Sequence, residues 1–304
     1  MTQQLDFKAM GCRMRGVVDT DEATPLLQSM PARIEEWEQV LSRFRSDSEL
    51  CELNQRAGIQ VVVSQILWDV FEASRLSEAE TRGLVNPLIM DALILAGYDR
   101  TFDELVSGDV HTEDGTTAIP VPALQDVLFD PEQQTLKLPL GARLDFGGVA
   151  KGWVAQRAMM MLREYGPALF SAGGDIAVSG PRGDGEPWEI GVEDPFHPGG
   201  YLRSLYLQSG AVATSGKDYR RWMHAGRLQH HIIDPRSGLP AETDIRTATV
   251  IAPDAILAEA FSKAILISGS EAGLVWLDHD ERLAGLLVLE NGMQVGSRSL
   301  IEYV

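Results

Sequence analysis

Strand-length apolar runs arrive in irregular groups along this chain, separated by helical patterns of unequal length, and this arrangement most limits the fold. ALFSAGGDIAVSG, SLYLQSGAVATSG and TATVIAP read as strands, whereas residues 255–268 have the length and apolar content of a helix. A doubly wound fold alternates strand and helix regularly. Strands coming several at a time predict an α+β fold instead, and 304 residues make either one large domain or two modest ones. No repeat period points to a solenoid.

Local signals fill in this outline. Residues 8–19 read as an opening strand. From Pro25 the spacing of Ile34, Trp37, Val40, Leu41 and Phe44 predicts a helix whose polar face carries Glu35, Glu36, Glu38 and Arg43. Asp47 or Ser48 caps a second helix closed at Gly58, and Ser64 caps a third. VLFDPEQQTLKLPLGARLDFGG predicts a hairpin through Asp130-Pro131 and then a strand ending at the double glycine. VAKGWVAQRAMMMLREYG follows as a helix, in which Met159, Met160 and Met161 read as packing residues. The last strands turn at Asn291-Gly292. Residues 107–126, rich in Asp, Gly, Thr and Pro, predict an exposed insertion.

Charge narrows the partners. The 304 residues carry 26 Lys and Arg against 44 Asp and Glu, a formal charge of -18, so a long nucleic acid backbone is repelled. Cys12 and Cys51 are isolated, which predicts neither a metal knuckle nor a disulfide framework and fits a reducing, cytoplasmic setting. MTQQLDFKAMG before Cys12 lacks an apolar stretch for a lipid-anchor signal, and no run is long enough to predict membrane insertion.

Four glycine-containing polar patches follow apolar strands: 145–152, 171–175, 213–218 and 230–238. In DFGGVAKG, free N–H groups at a helix start and Lys151 either face a diphosphate or form only a tight turn with an exposed lysine. SAGGD and ATSGK add main-chain donors and hydroxyls, although each alone is also an ordinary turn. In HHIIDPRSG, His231 either takes a proton near neutral pH, with Asp234 orienting it or meeting a cation, or His230 and His231 simply alternate across a sheet. Glu259 and Lys263, four apart, form either an exposed ion pair or part of a phosphate and Mg²⁺ site.

Taken in order, AMG, LSRFRSDSELCELN, LDFGGVAKGWVAQRA, SAGGDIAVSG, AVATSGKDYR, HHIIDPRSG and AEAFSKAILISG resemble the ApbE family, the FAD:protein FMN transferases, across almost the whole chain. The resemblance implies a single domain over 1–304 with mixed sheets flanked by helices around a central cleft, FAD in that cleft, Mg²⁺ by its diphosphate, and transfer of FMN to a Thr or Ser hydroxyl of a partner protein with release of AMP. It implies that Met10, Gly11, Asp145, Lys151, Gly173, Gly174, Asp175, Thr214, Ser215 and Gly216 line the nucleotide. His231 is then the base or positioning group, and the Ala150 carbonyl a metal ligand. On the late helix the family's metal-binding Asp and the Thr four residues on are here Glu259 and Lys263. An ammonium ligates no cation. Lys263 is therefore expected either to replace part of the cation near the diphosphate or to pair with Glu259, leaving Mg²⁺ held weakly by Ala150, phosphate oxygens and Glu259. The rival functions are FAD binding without transfer, slow hydrolysis of FAD to FMN and AMP, and a non-catalytic interaction scaffold.

Overall fold

The computed structural model of the chain describes residues 2–22, 24–107 and 118–304. It comprises two compact units, one formed by Met1–Ile34, Lys151–Gly216 and Thr243–Val304, the other by Glu35–Ala150 and Lys217–Glu242. The fold is α+β. Much of the expected insertion at 107–126 lies outside the described residues, and within its remainder 118–120 are exposed.

The first unit is built on one eight-stranded sheet: β1 (Thr2–Ala9), β2 (Cys12–Asp19), β3 (Ala168–Ala172), β4 (Asp175–Val178), β5 (Gly210–Gly216), β6 (Ile245–Ala252), β7 (Ala284–Leu289) and β8 (Gln294–Gly296). The strands lie side by side in chain order, and every neighbouring pair is antiparallel. Such a meander needs no crossover, which is why the sequence shows no regular βα alternation. The expected opening strand at 8–19 is in fact the β1–β2 hairpin. Met10 and Gly11 both have positive φ, 50° and 64°, the conformation that a two-residue turn between strands demands.

The faces of the sheet divide by residue size. Ala211, Ala213 and Ser215 of β5 stand opposite Ala252, Val250 and Ala248 of β6, and α2 (Ala255–Ser268) packs on these two strands. Small side chains let the helix approach closely. Val212 and Ile251 face the other way, into a core with Trp188, Ile190, Val192, Leu205 and Leu207 of the hairpin Trp188–Glu193/Tyr201–Leu207. With α1 (Ala150–Leu162) at its start and α3 (Ser270–His279) following, α2 is buried on almost every side, as its apolar sequence requires. Asp254 caps it by accepting from the Leu257 N–H at 2.9 Å.

The second unit holds the short helices Glu49–Gln55, Met90–Leu95 and Phe102–Ser107, the longer helix Gln65–Glu80, and small two- and three-stranded sheets. Ser48 and Ser64 cap the helices after them as expected. The strand expected to end at the double glycine does not form. Asn54 supplies what a neighbouring strand would, donating Nδ2–H to the Leu144 carbonyl at 2.8 Å and accepting the Leu144 N–H at 2.7 Å. Asn54→Ala strips both bonds from a buried backbone and is expected to destabilise the protein by about 1–3 kcal/mol. Urea denaturation measures this, and an unchanged midpoint would show that water replaces the amide.

Arg43 also departs from expectation. The first helix ends at Leu41, so Arg43 leaves its polar face, and its side chain is only 6% exposed. Its Nε meets Asp145 Oδ2 at 2.7 Å, and the guanidinium lies 4.2 Å from the Phe44 ring centre and 4.6 Å from that of Tyr98.

Candidate functional site

The rim of the eight-stranded sheet formed by one end of its strands, called its edge below, collects most of the residues singled out in the sequence. The β3–β4 turn is Gly173-Gly174, with φ of 64° and 98°, and it sets Asp175 as the first residue of β4, opposite Ala172. Gly173 is forced to be glycine, because a Cβ there would stand 2.9 Å from the Cβ and Sγ of Cys12. Its N–H donates to the Arg13 carbonyl at 2.8 Å, which places this turn beside the Met10-Gly11 turn. No atom lies within 4 Å of where a side chain would start at Gly11 or Gly174, so their backbones are open to a ligand.

Strand β5 extends the edge. Val212 pairs with Ile176, so Thr214, Ser215 and Gly216 run on past the β3–β4 turn. Thr214 Oγ1 bonds Thr249 Oγ1 across to β6 at 2.9 Å, and Ser215 Oγ bonds Ser262 Oγ on α2 at 2.7 Å. The hydroxyls expected to meet a nucleotide thus also fasten β5 to its neighbours. Ser262 had no distinguishing signal in the sequence.

Beneath this edge lies a buried cluster of four charges. Lys151, in the first turn of α1, places Nζ on Asp175 Oδ2 and 3.2 Å from Glu259 Oε1. Lys263 Nζ donates to the same Glu259 oxygen at 2.8 Å. Glu259 Oε2 accepts the Gly152 N–H at 2.7 Å, so a carboxylate from α2 stands at the positive end of α1. Glu259 is fully buried, Asp175 is 2% exposed, and the Lys151 and Lys263 side chains are 21% and 13% exposed. The spacing of Glu259 and Lys263 foretold their pairing. Its burial distinguishes it from a helix surface pair.

The environment sets each group's proton affinity. Burial would push Glu259 up, but Lys151, Lys263 and the Gly152 N–H bring it down to about 2. Burial dominates at Asp175 and raises it to about 6 despite Lys151. Lys151 rises above the usual lysine range, because Asp175 and Glu259 outweigh its loss of water, whereas burial pulls Lys263 down against the hold of Glu259. Of the two carboxylates, Asp175 is the one that gives up its charge readily.

Gly152 makes the α1–α2 junction possible. A Cβ would lie 2.5 Å from the Ala255 carbonyl oxygen and 2.8 Å from Glu259 Oε2. Gly152→Ala must therefore move two helices and is expected to cost about 1–3 kcal/mol. It should also weaken the N–H bond to Glu259. A thermal or urea melt matching the parent protein would refute this packing argument.

The remaining sequence candidates lie in the second unit. Asp145 accepts Arg43 on one oxygen and the Gly147 N–H, at 2.7 Å, on the other. Ala150 belongs to this unit as the first residue of α1. His231 is partly buried after the strand Arg227–His230, and His230 accepts the Ile232 N–H on Nδ1 while Nε2 lies 3.1 Å from the Ala241 carbonyl. Asp234 closes a turn in which Arg236 engages its carboxylate through the backbone N–H, Nε and Nη2 at 2.8–2.9 Å.

The donors at Glu259 do not suit Mg²⁺. One oxygen carries two ammonium groups and the other a backbone N–H, whereas Mg²⁺ requires close oxygen ligands in near-octahedral array. Among the described residues no group of three or more His, Cys, Asp or Glu is arranged to hold a metal.

The chain is thus an antiparallel α+β protein with open glycine turns and two partly buried lysines gathered where the strands of its large sheet end. The family model of the ApbE family matches residues 10–287, and the chain belongs to that family. The FAD:protein FMN transferase of Treponema pallidum is 27% identical over 93% of this chain and 82% of its own length. That of Escherichia coli strain K12 is 25% identical over 88% and 78%. Among solved structures, the ApbE protein of Thermotoga maritima superposes with a TM-score of 0.84 at 27% identity, covering 100% of this chain and 99% of its own. The apo flavinyl transferase ApbE of Pseudomonas stutzeri, at 22% identity and a TM-score of 0.80, shares the fold over 99% and 96%.

Proposed function

We propose that this protein is an enzyme that takes FAD as donor and transfers its FMN part to a Thr or Ser hydroxyl of an acceptor protein, releasing AMP. Family membership supports the reaction class. The observation that carries it to this chain is the pair of partly buried lysines, Lys151 next to the open Gly173-Gly174 turn and Lys263 joined to it through Glu259, a setting suited to a diphosphate. In the transfer, the hydroxyl oxygen attacks the flavin-side phosphorus, a P–O ester bond forms, and the bond from that phosphorus to the oxygen bridging it to AMP breaks. The hydroxyl proton passes to a base, for which His231 is proposed, and AMP leaves with the electron pair. Lys151 and Lys263 stabilise the negative charge that grows on the leaving phosphate.

Incubation with FAD and an acceptor domain tests this reading, with the adduct read by intact mass and AMP by chromatography. Adduct and AMP are expected in equal amounts. AMP without adduct would reassign the chain as an FAD hydrolase, and neither product with no FAD bound would leave only the scaffold reading.

A further inference from the structure

Resting on that reading, we infer that Lys263 is a built-in cation that takes the place of a divalent metal ion in this protein's FAD site. The first ground is the state of Glu259, the only carboxylate its helix offers to the cluster. Its Oε1 is shared by Lys263 at 2.8 Å and Lys151 at 3.2 Å, and its Oε2 accepts from Gly152 at 2.7 Å. A divalent ion binding there must displace an ammonium from a fully buried oxygen or sit against two positive charges, and both are unfavourable in a poorly solvated site.

The second ground is charge balance. Lys151 and Lys263 against Asp175 and Glu259 form a neutral group when all four are ionised, so the cluster requires no further cation to exist in the fold. The third is attachment. Lys263 rises from a helix whose neighbouring Ser262 is tied to β5 through Ser215, so its ammonium is delivered to the sheet edge by the framework. A lysine neutralises phosphate as a point charge without needing ligands of its own. Attached covalently, it is present whatever the metal concentration.

The consequence is that FAD binding survives removal of divalent ions, and that replacing Lys263 by a hydroxyl residue creates a metal requirement. The unmodified chain, Lys263→Thr and Lys263→Arg are titrated with FAD in EDTA and again in excess Mg²⁺, following flavin fluorescence. Mn²⁺ binding to each FAD complex is measured from the loss of the free-ion paramagnetic resonance signal. The unmodified chain should have the same FAD affinity in EDTA as in Mg²⁺, and Lys263→Arg, which keeps the charge, should likewise gain nothing from Mg²⁺ whatever its own affinity, both without stoichiometric Mn²⁺ uptake. Lys263→Thr should lose about 30-fold or more in FAD affinity in EDTA, the scale of removing one partner of a buried charge pair. Mg²⁺ should restore most of that loss, with one Mn²⁺ bound per complex.

A single Mn²⁺ bound at micromolar concentration by the unmodified FAD complex would overturn the inference while leaving the transferase reading intact. Failure of the unmodified chain to bind FAD at all would overturn both. If Lys263→Thr does not fold, the unmodified chain's Mn²⁺ titration and its EDTA comparison still decide the matter.

Discussion

Glu259→Ala is expected to destabilise the protein by about 3–5 kcal/mol, the range for leaving buried charges without their partner. Three donors converge on this fully buried carboxylate, the ammoniums of Lys151 and Lys263 and the Gly152 N–H. Lys151 retains Asp175 in the variant, so the greater loss falls on Lys263 and on the start of α1. Urea denaturation measures the loss, and a change below about 1 kcal/mol would show that the cluster contributes no more than an exposed pair.

The same group predicts an acid limb. Glu259 is held at about 2 against an ordinary 4.5, so the stability it contributes is complete above pH 4.5 and is lost as pH falls towards 2. Asp175 has the opposite sign. Raised from 3.8 to about 6, it costs stability as pH rises through that interval. Glu259→Gln should therefore flatten the acid limb and, by removing a negative neighbour that helps raise Asp175, also shrink the loss of stability between about pH 4 and 6.

Lys151→Met is the substitution expected to harm transfer most, by about 10²–10³ in rate, the cost of removing one preorganised donor from a developing oxyanion. It should nevertheless fold. Asp175 already gives up its charge readily, so removal of its partner leaves a neutral acid in the core rather than an orphan carboxylate. Glu259 keeps Lys263 and the Gly152 N–H. Single-turnover measurement of AMP release from bound FAD separates the effect on the chemical step from that on binding, because a charge serving the leaving group acts on rate more than on affinity. A loss confined to FAD affinity, with an unchanged rate at saturation, would make Lys151 a binding group only.

What depends on neighbours along the chain could be read before the fold was known. The helix at 255–268, the caps at Ser48 and Ser64, and the Gly173-Gly174 turn were legible because helix period, side-chain caps and positive φ are set within a few residues. The order of glycine-bearing motifs carried the family resemblance for a similar reason, each motif being a local requirement for close backbone approach. Even the Glu259–Lys263 pair followed from one turn of helix.

The surroundings of those residues depend instead on segments far away in the chain. Glu259 became a buried carboxylate with three donors because Gly152, 107 positions away, lets α1 meet α2, and Lys151 came with it. Arg43 left its predicted polar face because the helix stopped at Leu41 and Asp145 offered a buried partner. Leu144 did not enter a strand because Asn54, 90 residues earlier, satisfied its backbone first. Local conformation is chosen by steric and hydrogen-bond rules acting over a turn or two, whereas burial, and with it the strength of every charge interaction, is set by which distant segments exclude water together.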